Sequence, residues 1–228
     1  MFADQGNRTK VKICGITNLE DARFAAGAIA DYLGFIFYEK SPRYIEPAKA
    51  GAIINWIEGP QSVGVFVNRS LDDVNQIAKQ TGIDLVQLHG TESPDYCRML
   101  DLPVIKVFHI DETTNSSKLY DKVEPYLDVA SYLLFDTGSK GQWGGTGISF
   151  DWTLLMDLNM ERPVFLSGGL NADNVREGIM MTHPFAVDLA SGVEKAPGIK
   201  DFDKIESFFN EMHQIWELQE TGEFGRME

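Results

Sequence analysis

Short apolar runs rich in β-branched and aromatic residues recur eight times along this chain, each followed by a stretch with helical periodicity. That alternation restricts the fold more than any other feature of the sequence. Strands are expected near residues 11–16, 32–37, 63–67, 85–88, 104–108, 132–136, 164–167 and 186–189, with helices at about 19–29, 47–56, 71–79, 94–100, 118–127, 152–157, 172–180 and 202–218. Asn18, Ser70 and Ser93 are residues that cap helix N-termini, and Pro47 and Pro94 suit a first helical turn. Continuously apolar strands joined through helices imply a parallel sheet covered on both faces. Eight such units favour a closed (β/α)8 barrel, the TIM-barrel architecture of the α/β class, over an open doubly wound sheet of about five or six strands. The length of 228 residues suits one barrel. No linker or shift in composition divides the chain, so residues 1–228 are expected to form a single domain with a polar tail from about Gln219.

In such a barrel, functional side chains belong at the C-terminal ends of the strands. The sequence places reactive residues there. The first apolar run ends at Cys14, ahead of a helix that opens near Asn18, and Lys12 shares its strand face at period two. A helix N-terminus and a lysine both favour a thiolate, the form that accepts a proton. The sixth run, Leu133-Leu134-Phe135, delivers Asp136 to a glycine-rich segment, Gly138 to Gly147, that reads as a lid over a reacting centre. An acid and a thiol at two strand ends suggest proton transfer.

Gly168-Gly169 and Ser191-Gly192 follow the seventh and eighth strands, where barrels frequently hold a phosphate on backbone N–H groups. Either turn alone is as readily a plain tight turn; two on adjacent strands point to a phosphate. Arg43, in Ser41-Pro42-Arg43, is either a solvated charge or a rigidly placed guanidinium for bidentate carboxylate recognition. His89 is open between a structural and a binding role, and Asn68 and Asp188 also stand at strand ends. His109, His183 and His213 are scattered along the chain, and no metal constellation is expected from them. Cys97, inside a helical pattern, reads as a small core residue.

Charge limits the partners. A net charge of −14 argues against nucleic acid, whose binding needs a basic footprint. No apolar run approaches the roughly 20 residues of a membrane span, and the polar first ten residues carry no secretory signal pattern. Two cysteines without metal-ligand spacing suggest neither a disulfide framework nor a zinc site, and a cytoplasmic protein is expected.

Taken together, several blocks resemble the phosphoribosylanthranilate isomerase family of tryptophan biosynthesis. They are Lys12-Ile13-Cys14-Gly15-Ile16-Thr17, Gly34-Phe35-Ile36-Phe37 with Ser41-Pro42-Arg43, Val63-Gly64-Val65-Phe66-Val67-Asn68 and Val86-Gln87-Leu88-His89-Gly90. They continue with Asp136, Gly144-Gly145-Thr146-Gly147, Phe150-Asp151-Trp152, Gly168-Gly169-Leu170-Asn171 and Ser191-Gly192-Val193-Glu194. The resemblance implies an Amadori rearrangement of N-(5-phosphoribosyl)anthranilate by an intramolecular oxidoreductase-type isomerase, with neither metal nor organic cofactor. It implies Asp136 as general acid, Cys14 as general base, Arg43 on the anthranilate carboxylate, and His89 and Asp188 along the ribose. Gly168, Gly169, Ser191 and Gly192 would hold the phosphate. The only partner expected is this small phosphosugar substrate, with the protein a monomer. The alternatives are a non-catalytic phosphosugar-binding barrel and another phosphosugar isomerase or epimerase.

Overall fold

The computed structural model describes residues 8–137, 149–156 and 161–224. Eight parallel strands close into a barrel in chain order: β1 (Lys10–Cys14), β2 (Tyr32–Ile36), β3 (Gln61–Phe66), β4 (Leu85–Leu88), β5 (Val104–Ile110), β6 (Tyr132–Thr137), β7 (Val164–Leu166) and β8 (Ala186–Leu189). Closure comes from β8 pairing back onto β1, with Lys12 opposite Asp188. The helices are α1 (Leu19–Gly27), α2 (Pro47–Ile54), α3 (Leu71–Thr81), α4 (Pro94–Arg98), α5 (Ser116–Val123), α6 (Thr153–Met156), α7 (Val175–Thr182) and α8 (Phe202–Thr221). Asn18, Ser70 and Ser93 each accept a hydrogen bond from the backbone N–H three residues on, as their side-chain chemistry predicts.

Departures from the sequence reading have local causes. Helix α7 starts three residues later than expected, because Asn171 and Asn174 hold a turn: the Asn171 N–H donates to Asn174 Oδ1 at 2.9 Å and the Asp173 N–H to Asn171 Oδ1 at 2.8 Å. Such local side-chain bonds compete with helix. Helix α8 runs past the expected start of the polar tail, since Gln219 is tied to the barrel floor by two 2.9 Å hydrogen bonds with Thr9. A short hairpin, β9 (Glu194–Ala196) with β10 (Ile199–Lys200), follows β8 and carries no periodicity long enough to have been read. The glycine-rich segment 138–147, expected to act as a lid, lies outside the described residues.

One parity organises the interior. Tyr32, Val63, Leu85, Ile105, Val107, Leu134, Phe165 and Ala186 form a cluster that fills the barrel. Residues of the opposite parity, such as Val11, Ile13, Leu33, Phe35, Val86 and Leu88, pack beneath the helices in a second, larger cluster. Burying each such aliphatic or aromatic side chain contributes about 1.5–3 kcal/mol. A slip of one residue would exchange the two sets.

Candidate active site

Continuing the inward parity toward the C-terminal ends of the strands leads from the apolar filling to Cys14 on β1, Gln87 on β4 and His89 just after it, Asp136 on β6, Ser167 after β7 and Asp188 on β8. All of them line one cavity at the barrel mouth, with Arg43, Gly168, Gly169, Ser191 and Gly192. Every residue to which the family resemblance gives a catalytic or binding role is therefore brought to one place. The strand periodicity that turns Leu134 inward also turns Asp136 inward.

Cys14 is buried, and Gly34 on the neighbouring strand makes room for it: a Cβ there would stand 2.7 Å from Cys14 Sγ and 3.1 Å from Lys12 Nζ. Burial raises the thiol pKa, and the nearby ammonium of Lys12 offsets that only in part. Lys12 favours the thiolate as expected, but burial outweighs it. Lys12 has no exposed surface and is paired at 2.8 Å with Asp188, so part of its field is already answered. Burial lowers the Lys12 pKa, yet Asp188 and Cys14 together outweigh it and the net shift is upward. Cys97 is buried in α4, as expected of a core thiol.

Asp136 is 5 % exposed, and its pKa is raised to about 7 by burial first and by the charge of Asp188 second. The N–H of Thr137, donating to Asp136 Oδ1 at 2.9 Å, works in the opposite direction. A carboxyl that holds its proton near neutrality is what general-acid catalysis requires. His89 Nε2 approaches Asp136 Oδ2 at 3.7 Å, but burial and then the neighbouring His109 push the His89 pKa well below 6.5, so this is the approach of a neutral imidazole rather than an ion pair. The scattered histidines do not all stay apart. His109, at the end of β5, is the register partner of Asp136, and its ring meets His89 edge-on. Gln87, not singled out in the sequence, sits 3.3 Å from His89 Nδ1 through its amide nitrogen. Its inward parity beneath His89 was the signal available.

Arg43 is gripped from one side. Its Nε and Nη2 donate to both carboxylate oxygens of Glu194 at 2.8–3.1 Å, and Lys200 Nζ donates to the same carboxylate at 2.9 Å. Those contacts lower the Glu194 pKa against the upward pull of burial. The hairpin β9–β10 thus aims the guanidinium, a role invisible in the sequence because Glu194 lies 151 residues beyond Arg43. Asn68 serves the scaffold instead: its Oδ1 accepts from the Thr91 N–H at 2.7 Å.

The two glycine turns lock together. Gly168 and Gly169 have φ of 90° and 67°, a region costly for residues with a Cβ. A Cβ on Gly168 would collide with the Thr137 side chain, and one on Gly192 with the carbonyl of Leu170. Ser191 and Gly192 open a short 3₁₀ turn, Ser191–Val193, packed beside the β7 turn at the cavity edge. Backbone N–H groups of two adjacent strand ends can converge there on an anion.

Comparison with known proteins bears on this geometry. Residues 11–211 match the family model described as N-(5'-phosphoribosyl)anthranilate (PRA) isomerase. The chain is 46% identical over 200 residues to the N-(5'-phosphoribosyl)anthranilate isomerase of Geobacter metallireducens, covering 87% of this chain and 96% of that protein. It is similar in structure to the phosphoribosylanthranilate isomerase of Thermotoga maritima, with a TM-score of 0.82 and 39% identity over 90% of this chain and 99% of the other. A further isomerase structure, with TM-score 0.80, 38% identity and coverage of 90% and 99%, is a complex with reduced 1-(o-carboxyphenylamino)-1-deoxyribulose 5-phosphate.

Proposed function

The chain belongs to the N-(5'-phosphoribosyl)anthranilate isomerase family, and from that membership we propose how its own side chains divide the reaction. The activity is the isomerisation of N-(5-phosphoribosyl)anthranilate to 1-(2-carboxyphenylamino)-1-deoxyribulose 5-phosphate. The observation that carries the assignment of roles is a buried carboxyl with a pKa of about 7 on β6, facing a cavity whose other wall, on β1, presents a buried thiol.

Asp136 donates its proton to the furanose ring oxygen. The C1–O bond breaks as the anilino nitrogen lone pair forms a C1=N iminium. Cys14, as thiolate, removes the C2 proton, whose bonding electrons form C1=C2 while the iminium electrons return to nitrogen. The enolamine then takes a proton at C1 and loses one from the C2 hydroxyl, giving the ketone. C2 is oxidised and C1 reduced within one molecule, an internal oxidoreduction.

The substrate carries a carboxylate and a phosphate into a protein of net charge −14, so it needs local donors. Arg43 supplies a guanidinium edge for the carboxylate while Glu194 holds its opposite edge. Gly168, Gly169, Ser191 and Gly192 hold the phosphate on backbone N–H groups. His89 and Asp188 line the ribose. Two free thiols suit a reducing cytoplasm. Among the described residues no helix is long and apolar enough to cross a membrane.

The test is to generate phosphoribosylanthranilate in situ and follow its fluorescence with wild type, Cys14→Ser and Asp136→Asn. Rapid loss with wild type and near-silence with both variants is expected. Unimpaired turnover by either variant would remove that residue from the mechanism.

A further inference from the structure

Three consecutive strand ends carry a cluster that the isomerisation does not call on as a unit. His89 just after β4, His109 near the end of β5 and Asp136 near the end of β6 each offer a ligand atom, and these atoms lie within 4.8 Å of one another. The two imidazole rings meet edge-on with centroids 4.8 Å apart and an interplanar angle of 61°, and His89 Nε2 stands 3.7 Å from Asp136 Oδ2. His89 is only 9 % exposed, and among the described residues its Nε2 has no hydrogen-bond partner. A buried polar atom aimed at a carboxylate without a bond to it is costly to the fold unless a ligand uses it.

Both rings also have the outer contacts that orient a metal-ligating histidine. His109 Nε2 lies 3.1 Å from the carbonyl oxygen of His89, which fixes that nitrogen as the N–H and leaves the lone pair on Nδ1. Gln87 Nε2 lies 3.3 Å from His89 Nδ1, while Gln87 Oε1 is buried with no hydrogen-bond partner among the described residues. Turning that amide end for end gives the oxygen a partner in Nδ1–H and puts the lone pair on Nε2, the atom facing Asp136. The amide orientation and the tautomer go together.

We propose that His89, His109 and Asp136 form a binding site for a divalent first-row transition cation, zinc or cobalt, taken up in competition with the substrate. Two imidazoles and one carboxylate are a borderline donor set that suits such ions and leaves coordination positions open toward the cavity. The ion is a ligand of the resting protein and has no part in turnover. While bound it engages the carboxylate that must hand its proton to the ring oxygen, so occupancy is inhibitory. The inhibitory consequence rests on the catalytic role of Asp136; binding does not.

Cobalt(II) is added to substrate-free protein and read by its visible absorption, with His109→Ala and His109→Gln alongside wild type. The expected result is visible d–d bands in wild type without thiolate-to-cobalt charge transfer in the near ultraviolet, and loss of the bands in both variants. Zinc is then titrated into the turnover assay. Wild-type inhibition should be competitive and reversed by a chelator, and at least about tenfold weaker in the His109 variants, whose metal-free turnover shows that they fold. Absence of bands at millimolar cobalt, thiolate charge transfer that places the ion on Cys14, or equal zinc sensitivity in the variants would each overturn the proposal. Wild-type turnover before any metal is added reads the isomerase assignment separately.

Discussion

Lys12 and Asp188 are register partners on β1 and β8, and their 2.8 Å ion pair is closed inside the barrel one inward position below Cys14. The pair sets the electrostatics of the whole mouth. Asp188 neutralises much of the lysine field that would otherwise ionise the thiol, and the same carboxylate adds to the burial that keeps Asp136 protonated. A fully buried lysine is tolerated because its partner is fixed by strand register.

This arrangement predicts a bell-shaped pH dependence. With Asp136 near pKa 7 and the Cys14 thiol raised by burial, the reactive form, acid protonated and thiol ionised, has the same proton count as the resting form with those states exchanged. Their ratio does not change with pH. kcat/KM should therefore rise as pH passes about 7, level off, and fall only above the raised thiol value. A profile already flat below pH 6 would contradict the assignment of Asp136.

Glu194→Ala should act first on substrate binding, although it also leaves the buried Lys200 ammonium without its carboxylate partner. It releases the Nε–Nη2 edge of Arg43, now held at 2.8–3.1 Å, and the substrate must then order the guanidinium itself. KM is expected to rise about tenfold, some 1.4 kcal/mol, with kcat nearly unchanged. A fall in kcat at constant KM would show that Glu194 acts on the reacting centre.

Gly192→Ala should damage the phosphate turn, because the new methyl meets the Leu170 carbonyl of the neighbouring turn and neither backbone can yield alone. Affinity for inorganic phosphate as a competitive inhibitor should fall together with substrate affinity. Unchanged phosphate inhibition in a folded variant would place the phosphate elsewhere.

Glu92→Ala tests the scaffold beneath the site. The Glu92 carboxylate pairs with Lys106 at 2.9 Å and accepts from the N–H groups of Asn68 at 2.7 Å and Gly90 at 3.1 Å, all but sealed from solvent. Removing it leaves a buried ammonium unpaired, a loss of about 3–5 kcal/mol measurable by urea unfolding. Lys106→Met in the Glu92→Ala background should recover part of that stability, since two apolar groups replace an uncompensated charge.

Much of the site was legible because barrel geometry converts strand parity into direction. Cys14, Asp136 and Asp188 each follow an inward residue by two positions, so a period-two reading that places Leu134 inside places Asp136 at the mouth. Gln87 obeyed the same rule and went unread because it lies within its strand rather than at the end. His109 shows the limit of spacing along the chain: 20 residues from His89 and 27 from Asp136, it becomes their neighbour only because β4, β5 and β6 lie side by side.

Sequence alone determined the eight βα units and their order, the barrel, and most of the side chains that reach its mouth, because hydrophobic periodicity and helix caps are local and each βα unit reports itself. The tertiary structure decided the charge states and the partnerships: the thiol raised by burial, the carboxyl held near 7, Arg43 gripped by Glu194, and the histidine pair beside Asp136. Those properties depend on desolvation and on distances between groups remote in the chain, and neither exists until the barrel closes.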